Sequence, residues 1–446
     1  MSHRLKRAVA ALVAAGTGAV LLSSAALTTT PASAAPNGTT NYRLNVVGSD
    51  TIYCVDGGSS APNHTFTGIL GRYNAAVAGS TGNQAINTAP KASINLGCKT
   101  TPATTSVPAD AFHKILKYTG TGSACAAPLN GVAQPWLYPF GSSAGITCYV
   151  DDQGHGNIAF TRSSRGPKTT DPNNLEFWAF ALDAVTWTHM SSNTHAPVSM
   201  TPAQLTAVYN CVDTKWGQVT GKADTTPIKL YYPQVGSGTG DFFAQVYLGG
   251  SGNRPGSRTG SLAACDATIK FVPENDATQI AAADQSSAIL PYSFAVRAAQ
   301  ASTLHLEANL GAGTIMGDVN SVLPSVNSIK EGAAATNENP SLNACTAPPV
   351  AGEFCGTRYV YHTVWSSLTA PPGGFGLGTL EYNASIDVMG VPASGVSGSN
   401  SVCSNKDSTV IRDYGFRPLT LATTASGDGR GTTILAAGSK SYCREY

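Results

Sequence analysis

The order of apolar and polar residues predicts short buried strands that alternate with glycine-rich loops and helices. The apolar run over residues 177–187 is typical of a strand buried on both faces, and such strands favour a parallel sheet. Residues 42–54 contain a short strand that leads into a turn at Gly48-Ser49-Asp50. Further apolar runs that indicate strands span residues 156–160, 228–232 and 287–294. Together with the helices below, these runs predict an α/β fold.

Helices are predicted between the strands, most clearly at residue 201. Thr201 is a capping residue, Pro202 suits the first helical position, and Gln204 completes a capping box, so a helix should run to about Tyr209. Residues 99–134 are rich in Thr, Pro, Gly and Ala and predict a surface insertion pinned by disulfides. Other helical patterns span residues 67–77, 109–118 and 242–248.

The first 34 residues have the order of parts of a signal peptide. Three basic residues precede an apolar run over 8–27, and the small residues Ala32-Ser33-Ala34 follow it. We expect cleavage after Ala34; a retained membrane anchor is disfavoured because the run is rich in Ala and Gly and carries Thr and Ser. No cysteine lies near this position to accept a lipid, so a free, secreted mature chain is expected.

All ten cysteines lie beyond the expected cut, between Cys54 and Cys443. An even number of cysteines in an exported chain predicts five disulfides. A zinc site is disfavoured, because the sequence has no C-x-x-C pair and no histidine at ligand spacing from a cysteine pair. The connectivity stays open, although the short spacing of Cys345 and Cys355 favours a local loop closed by a disulfide.

Length and charge narrow the class of protein. About 410 of the 446 residues remain after cleavage, which is compatible with two lobes. Charged residues make up only 12% of the chain, and removal of three basic residues from the 27 present leaves 24 against 26 acidic ones. A mature charge near −2 predicts neither a nucleic-acid partner nor an anionic membrane partner.

The loop over residues 236–241, Gly-Ser-Gly-Thr-Gly-Asp, carries the clearest candidate chemistry. Glycines let a backbone approach a ligand closely, and the start of the following helix presents free N–H groups and a partial positive charge. The loop therefore predicts an anion cradle with hydroxyl donors from Ser237 and Thr239, the alternative being a plain turn that caps the helix. A dinucleotide fingerprint fits poorly, and a P-loop is excluded because Gly-Lys-Ser/Thr is missing.

Further segments follow in a set order along the chain: residues 48–52, 141–145, 157–165, 179–185, 200–219, 236–239 and 414–418. They resemble, respectively, three ligand loops, a crossover strand, a helix with a W-x-x-V element, a Gly-Ser-Gly-Thr loop and a common final strand. In this order the chain resembles the phosphate-binding proteins of ABC uptake systems, in the type 2 periplasmic binding protein fold. The likeness covers most of residues 42–300 and the last strand.

The resemblance implies a two-lobed fold of mixed sheets flanked by helices, rich in disulfides and with loop insertions. It implies a first lobe over 42–182, a second over 183–286, and a return to the first over 287–446. A monomer would enclose a small oxyanion between its lobes, with no cofactor, metal or catalysis, and an ABC permease is left open as its partner. The implied ligand-binding residues are Thr51, Ile52, Ser142, Ser143, Arg162, Ser163, Ser237, Gly238 and Thr239.

Two departures from the family pattern bear on the ligand. Pro233 stands where the family carries an arginine, and the acidic residue that accepts a proton from phosphate has no counterpart. We expect Arg162 or Arg165 to supply the missing charge by bidentate pairing; two solvated surface arginines are the alternative. Without the acidic acceptor, sulfate-like or organic oxyanions compete with phosphate as the ligand.

Two other classes of protein stay open. A secreted interaction protein that keeps the fold without transport is favoured by the missing lipid site and the inserted loops. A serine hydrolase is indicated by the G-x-S-x-G pattern over 141–145, but residues 146–150 are β-branched and aromatic, which disfavours the helix that a nucleophile elbow needs. The histidines that could serve such an enzyme are His155, His189, His195, His305 and His362.

Overall fold

The fold is given by a computed structural model, in which the described residues are 43–56, 84–87, 141–151, 158–172, 175–301, 311–330, 345, 352–365, 411–412, 414–419 and 444–445. The signal peptide, the helices predicted over 67–77 and 109–118, and the insertion over 99–134 lie outside these residues. All of the described residues belong to one compact unit. The lobe boundaries at residues 182 and 286 therefore stay predictions.

The described residues form a mixed α/β arrangement. The strands are β1 (Arg43–Gly48), β2 (Gln84–Asn87), β3 (Ile158–Ser163), β4 (Leu175–Met190), β5 (Ser199–Met200), β6 (Lys229–Pro233), β7 (Lys270–Val272), β8 (Ala288–Ser293), β9 (Thr314–Met316), β10 (Asp318–Val319), β11 (Thr357–Trp365), β12 (Arg417–Pro418) and β13 (Arg444–Glu445). The helices are α1 (Asp50–Asp56), α2 (Ser142–Asp151), α3 (Pro202–Tyr209), α4 (Trp216–Thr220), α5 (Gly238–Tyr247), α6 (Ser261–Asp266) and α7 (Phe294–Ala301). None of them is long and apolar enough to cross a bilayer.

One mixed sheet forms the centre of the fold, in the order β2-β1-β3-β11-β4-β8-β6-β7, with β9, β12 and β13 also paired to β4. The 16-residue strand β4 connects its two halves. Residues 175–184 of β4 pair with β11, whereas residues 185–188 pair with β8. β1, β2 and β3 run parallel in one half, and β6, β7 and β8 run parallel in the other.

The strand predicted over 177–187 is confirmed, but the expectation that it lies in a parallel sheet is wrong for β4. All of its strand partners described here are antiparallel to it. Every residue of β4 and of β11 is buried. Burial on both faces requires only that both faces be covered, so an apolar run does not fix the direction of its neighbours.

The helix predicted after Thr201 is confirmed with its capping box. The Gln204 N–H donates to Thr201 Oγ1 at 3.2 Å, and the Thr201 N–H donates to Gln204 Oε1 at 2.8 Å. The strands predicted near 156–160, 228–232 and 287–294 are confirmed as β3, β6 and β8, within a few residues.

Two helices differ from their predictions. α5 begins at Gly238, before the predicted residue 242, because Ser237 Oγ caps the helix by accepting from the Gly240 N–H at 3.1 Å. Residues 146–150, expected to be non-helical, lie within α2. Ile146 and Tyr149 are buried and α2 packs on β3, so tertiary burial overrides the weak local preference of these residues.

Two disulfides have both of their cysteines among the described residues. Cys345 pairs with Cys355, as the short spacing predicted. Cys211 pairs with Cys265 and joins the end of α3 to α6. None of the cysteines whose side chains are described is free, which agrees with an oxidised chain.

The capping box of α3 gives a first testable prediction. Thr201→Ala removes the oxygen that accepts from the Gln204 N–H, so we expect a loss of about 1 kcal/mol in the free energy of unfolding, measured by urea denaturation. Thr201→Ser keeps that oxygen and is the matched control, expected to retain most of the stability. Equal losses in the two variants would contradict this account of the cap.

Candidate functional site

Segments that follow two pairs of parallel strands meet at one buried point. Ser49 and Thr51 follow β1, Ser164 follows β3, residues 237–239 follow β6, and Glu274 follows β7. Within each pair the carboxyl ends lie on the same edge of the sheet, where open α/β folds bind ligands, and the two pairs run in opposite directions. β1 and β3 belong to one half of the sheet, and β6 and β7 to the other. The site, here called the cradle, is therefore built from both halves.

The carboxylate of Glu274 lies in the middle of the cradle and is 1% exposed. Its Oε1 accepts from the Thr51 N–H at 3.2 Å and lies 3.3 Å from Thr51 Oγ1 and 3.0 Å from Ser49 Oγ. Its Oε2 accepts from the Thr239 N–H at 3.3 Å and from the Ser237 hydroxyl. One carboxylate oxygen is thus held by the first half of the sheet, and the other by the second half.

Three serine hydroxyls extend the cradle on one side. Ser49 Oγ lies 2.8 Å from Ser164 Oγ, which lies 3.1 Å from Ser142 Oγ. Ser142 Oγ accepts from the Ser164 N–H at 2.8 Å. All three side chains are fully buried. Ser49 has one hydroxyl hydrogen, so it donates either to Ser164 Oγ or to Glu274 Oε1 at any one time.

A second hydroxyl chain connects the carboxylate to a buried arginine. Arg358 Nη2 donates to Thr239 Oγ1 at 3.1 Å, and Thr239 Oγ1 lies 3.1 Å from Thr51 Oγ1. When Thr239 donates to Thr51 and Thr51 donates to Glu274, every donor in this row of hydrogen bonds has an acceptor. Arg358 also pairs with Asp183 at 2.7 Å, and neither side chain is exposed. The positive charge of Arg358 is therefore neutralised by Asp183.

Glycine is required where α5 enters the cradle. A Cβ at position 238 would collide with Ser142 Oγ and Ser164 Oγ. At the first loop, Gly48 has a φ of 113°, and a Cβ there would collide with the Arg162 carbonyl. The close approach of backbone and hydroxyls at these two positions excludes a side chain.

An ion cluster lies on α5 one turn beyond the cradle, around Asp241. Lys168 Nζ lies 2.5 Å from Asp241 Oδ2, and Arg254 Nε lies 2.9 Å from Asp241 Oδ1. The Ser143 hydroxyl donates to Asp241 at 2.9 Å and accepts from Arg165 Nε at 2.8 Å. The cluster connects α2 and the segment after β3 to the helix that follows β6.

Nearby charges and burial shift the pKa of Asp241 in opposite directions. Burial alone would raise the pKa of Asp241, but the nearby Lys168, Arg254 and Arg165 together hold it below its usual value. Burial lowers the pKa of the Lys168 ammonium, in spite of its contact with Asp241. The cluster therefore keeps Asp241 ionised in the folded protein.

The structure brings some of the predicted site residues to the carboxylate directly. Thr51, Ser237 and Thr239 contact Glu274, whereas Gly238 packs against Ser142 in the serine layer behind Ser49.

The other predicted residues lie farther from that carboxylate. Ile52 is a core residue whose N–H donates to the Ser49 carbonyl at 3.3 Å. The Ser163 hydroxyl donates to the Arg165 carbonyl at 2.7 Å, and Ser143 belongs to the ion cluster. Their roles in ligand binding stay predictions.

The two arginines expected to supply charge have other partners. Arg162 donates to the carbonyls of Gly48 and Ser49, each at 3.1 Å, and is fully buried. Arg165 forms a two-point pair with Asp171, at 2.7 and 3.0 Å. Neither is a solvated surface arginine, so that alternative is wrong.

Sequence reasoning missed Ser49, Ser164, Arg358 and, above all, Glu274. The position of Glu274 could have been found from topology. β6 and β7 are parallel neighbours with Pro233 beside Val272, so the residues after β7 lie beside the predicted glycine loop. Arg358 gave no such signal, because its place on β11 depends on an antiparallel partner far along the chain.

The described histidines do not contact Ser143, the serine of the G-x-S-x-G pattern. His362 pairs with Asp56 at 2.9 Å in the core, and His195 pairs with Asp224 at 2.7 Å. The ring of His189 lies 2.9 Å from the Met190 carbonyl. A serine hydrolase triad is therefore not assembled by these three residues; His155 and His305 lie outside the described residues.

Solved structures similar to this chain include several phosphate-binding proteins. A putative phosphate ABC transporter substrate-binding protein with bound phosphate, from Clostridium perfringens, is 12% identical with a TM-score of 0.44, over 85% of this chain and 100% of that chain. An ABC-type phosphate transport receptor from Vibrio cholerae is 15% identical with a TM-score of 0.39, over 62% and 86%. A possible phosphate-binding protein from Planctomyces limnophilus is 13% identical with a TM-score of 0.38, over 86% and 94%. No family model and no curated protein matches the chain.

The ion cluster gives a prediction about pH. Because the folded-state pKa of Asp241 is lowered, its ionisation stabilises the fold above the unfolded-state pKa of about 4, and this contribution is lost as the pH falls through the folded value. Asp241→Asn should lower the free energy of unfolding by about 3 kcal/mol at neutral pH, because it leaves buried cations without their acid partner. Urea denaturation at several pH values measures both effects.

The variant should also lose stability less steeply than the wild-type chain below pH about 4, since it lacks the titrating group. Asp213→Asn, a change at a partly exposed carboxyl outside the cluster, is the control and should follow the wild-type profile. Parallel acid profiles for the wild-type chain and Asp241→Asn would contradict this account of the cluster.

Proposed function

We propose that this protein is an extracellular solute-binding protein that captures phosphate or a similar oxyanion in the cradle. The observation that carries the proposal is the convergence of two backbone N–H groups and three hydroxyls, from Ser49, Thr51, Ser237 and Thr239, on one buried carboxylate. The two oxygens of Glu274 stand where two oxygens of an external oxyanion would bind.

The donors of the cradle are suited to an anion rather than to a cation or an apolar group. The Thr239 N–H belongs to the first turn of α5, where the helix dipole adds a partial positive charge. Neutral donors at fixed positions bind a charged acceptor more strongly than a neutral one. The hydroxyls of Ser142 and Ser164, one layer behind Ser49, offer further contacts to an oxyanion with more than two oxygens.

The burial of the cradle favours a small ligand. Thr51, Ser237 and Thr239 are each at most 1% exposed. A ligand held by them is removed from water, so it must exchange its hydration for these fixed donors. Phosphate, sulfate and the phosphate group of a small organic molecule all meet this requirement, with phosphate as first choice from the sequence resemblance.

The surroundings of the ligand follow from the same proposal. The signal peptide predicted over residues 1–34 would export the chain. The mature protein would act as a monomer, and its two predicted lobes would enclose the ligand in the cradle. An ABC permease is the partner that such a role implies. The proposed role of the cradle is binding, with Ser237 and Thr51 as hydrogen-bond donors to the ligand and no catalytic step.

Calorimetric titration of the mature chain with phosphate, sulfate and small organic phosphates, up to several millimolar, tests this function. We expect one oxyanion to bind. In a chain whose Glu274 is replaced by alanine, adding Ser237→Ala should weaken binding by about 10- to 100-fold, because the Ser237 hydroxyl then has no internal acceptor and a hydrogen bond to a charged group contributes about 1.5–3 kcal/mol. Ser261→Ala, an exposed serine at the start of α6, is the control and should leave the affinity unchanged.

Two results would contradict the proposal. One is an equal affinity in Glu274→Ala and in the double variant Ser237→Ala/Glu274→Ala. The other is the absence of binding by any of these anions, both in the wild-type chain and in a chain whose Glu274 is replaced by alanine.

A further inference from the structure

The donors of the cradle are already used by the chain itself. Both oxygens of Glu274 are hydrogen-bonded, Oε1 to Ser49 and Thr51 and Oε2 to Ser237 and Thr239. The N–H groups of Thr51 and Thr239 are the backbone donors that an external oxyanion would need. An oxyanion and this carboxylate cannot share them.

Adding an oxyanion without moving Glu274 would also place two negative charges in contact. The cation nearest along the hydrogen-bond chain, Arg358, is two hydroxyls away and already paired with Asp183 at 2.7 Å. Like charges at contact distance in a buried site repel strongly. A fully deprotonated oxyanion therefore binds only if the carboxylate leaves the cradle, whereas a protonated phosphate can bind beside Glu274 only by donating its proton to it in a hydrogen bond.

The residue that holds the backbone of Glu274 has an unused donor. Gln234 Oε1 accepts from the Glu274 N–H at 2.7 Å, and Gln234 is 4% exposed. Its Nε2 is buried without a hydrogen-bond partner among the described residues. Buried donors are normally paired, so the residue that holds the Glu274 backbone has a donor whose acceptor is missing among the described residues.

We propose that Glu274 is an internal ligand of the cradle, which sets the affinity of the protein because an oxyanion binds only by displacing this carboxylate. The proposal rests on the function proposed above. The carboxylate is part of the same chain, so it competes with the ligand at a high effective concentration. The measured association constant is therefore the intrinsic association constant multiplied by the small fraction of molecules whose cradle is empty.

The sign of one mutational effect tests this role. If Glu274 competes with the ligand, Glu274→Ala should bind phosphate at least about 10-fold more tightly than the wild-type chain in calorimetric titration. If Glu274 instead accepts a proton from bound phosphate, the same change weakens binding, and the proposal is wrong. Glu274→Gln, which keeps the volume and loses the charge, should also bind more tightly.

Thermal unfolding gives a second measurement, which remains informative if Glu274→Ala is less stable. Without its carboxylate, the cradle has buried donors with no acceptor, so the melting temperature of Glu274→Ala should rise more on addition of phosphate than that of the wild-type chain. Asp276→Asn removes a carboxylate two residues along, which accepts from the Thr278 N–H at 3.0 Å, and should behave like the wild-type chain.

The outcomes separate the two proposals. Equal phosphate affinity in the wild-type chain and Glu274→Ala overturns the internal ligand and leaves the oxyanion function standing. No binding of phosphate, sulfate or organic phosphates by either chain overturns the function itself. Tighter binding by Glu274→Ala together with unchanged binding by Asp276→Asn supports both.

Discussion

The hydrogen bonds of the buried Glu274 carboxylate are the interaction on which the arrangement of the site depends. They join donors from the segment after β1 to donors at the start of α5, which belong to different halves of the sheet. Buried N–H and hydroxyl groups are costly when unpaired. The two halves can bring their donors together only if an acceptor lies between them, and in this chain a side chain supplies it.

The other buried charges support the same junction. Arg358 lies on β11, Asp183 on β4, and the pair is also hydrogen-bonded to the Ser164 carbonyl and to Ser293 Oγ. The long strand β4 carries Asp183 next to the point where its partner changes from β11 to β8. The strand that connects the halves therefore also carries Asp183, the acid partner of Arg358, whose guanidinium donates to Thr239 of the cradle. The ion cluster of Asp241 makes a further connection, from Lys168 after β3 to Asp241 on α5 and Arg254 beyond it.

The structures that could be predicted from the sequence are those fixed by residues close to one another along the chain. The capping box at Thr201, the strand–loop–helix unit around 236–239 and the Cys345–Cys355 loop were all readable, because each depends on residues close in sequence. The direction of the partners of β4 and the helix over 146–150 were not, because tertiary packing decides them.

The residues of the site also divide into those set by nearby sequence and those set by tertiary packing. Ser237 and Thr239 were found from the glycine loop, whereas Glu274 reaches the cradle only because β7 lies beside β6. Arg162 is predicted as an anion ligand from its type and position, and this stays a prediction; the structure shows its guanidinium donating to two carbonyls of the first loop. A motif identifies which residues are near a ligand loop; the partners of each side chain depend on the packing around it.

The most direct measurement of the central claim is a pair of crystal structures of the mature protein, one grown without oxyanions and one with phosphate. The account predicts that Glu274 accepts from the Thr51 and Thr239 N–H groups in the first structure. In the second, phosphate oxygens should take those two donors and the Glu274 carboxylate should lie outside the cradle. Phosphate bound elsewhere, with Glu274 still held by Thr51 and Thr239, would contradict it.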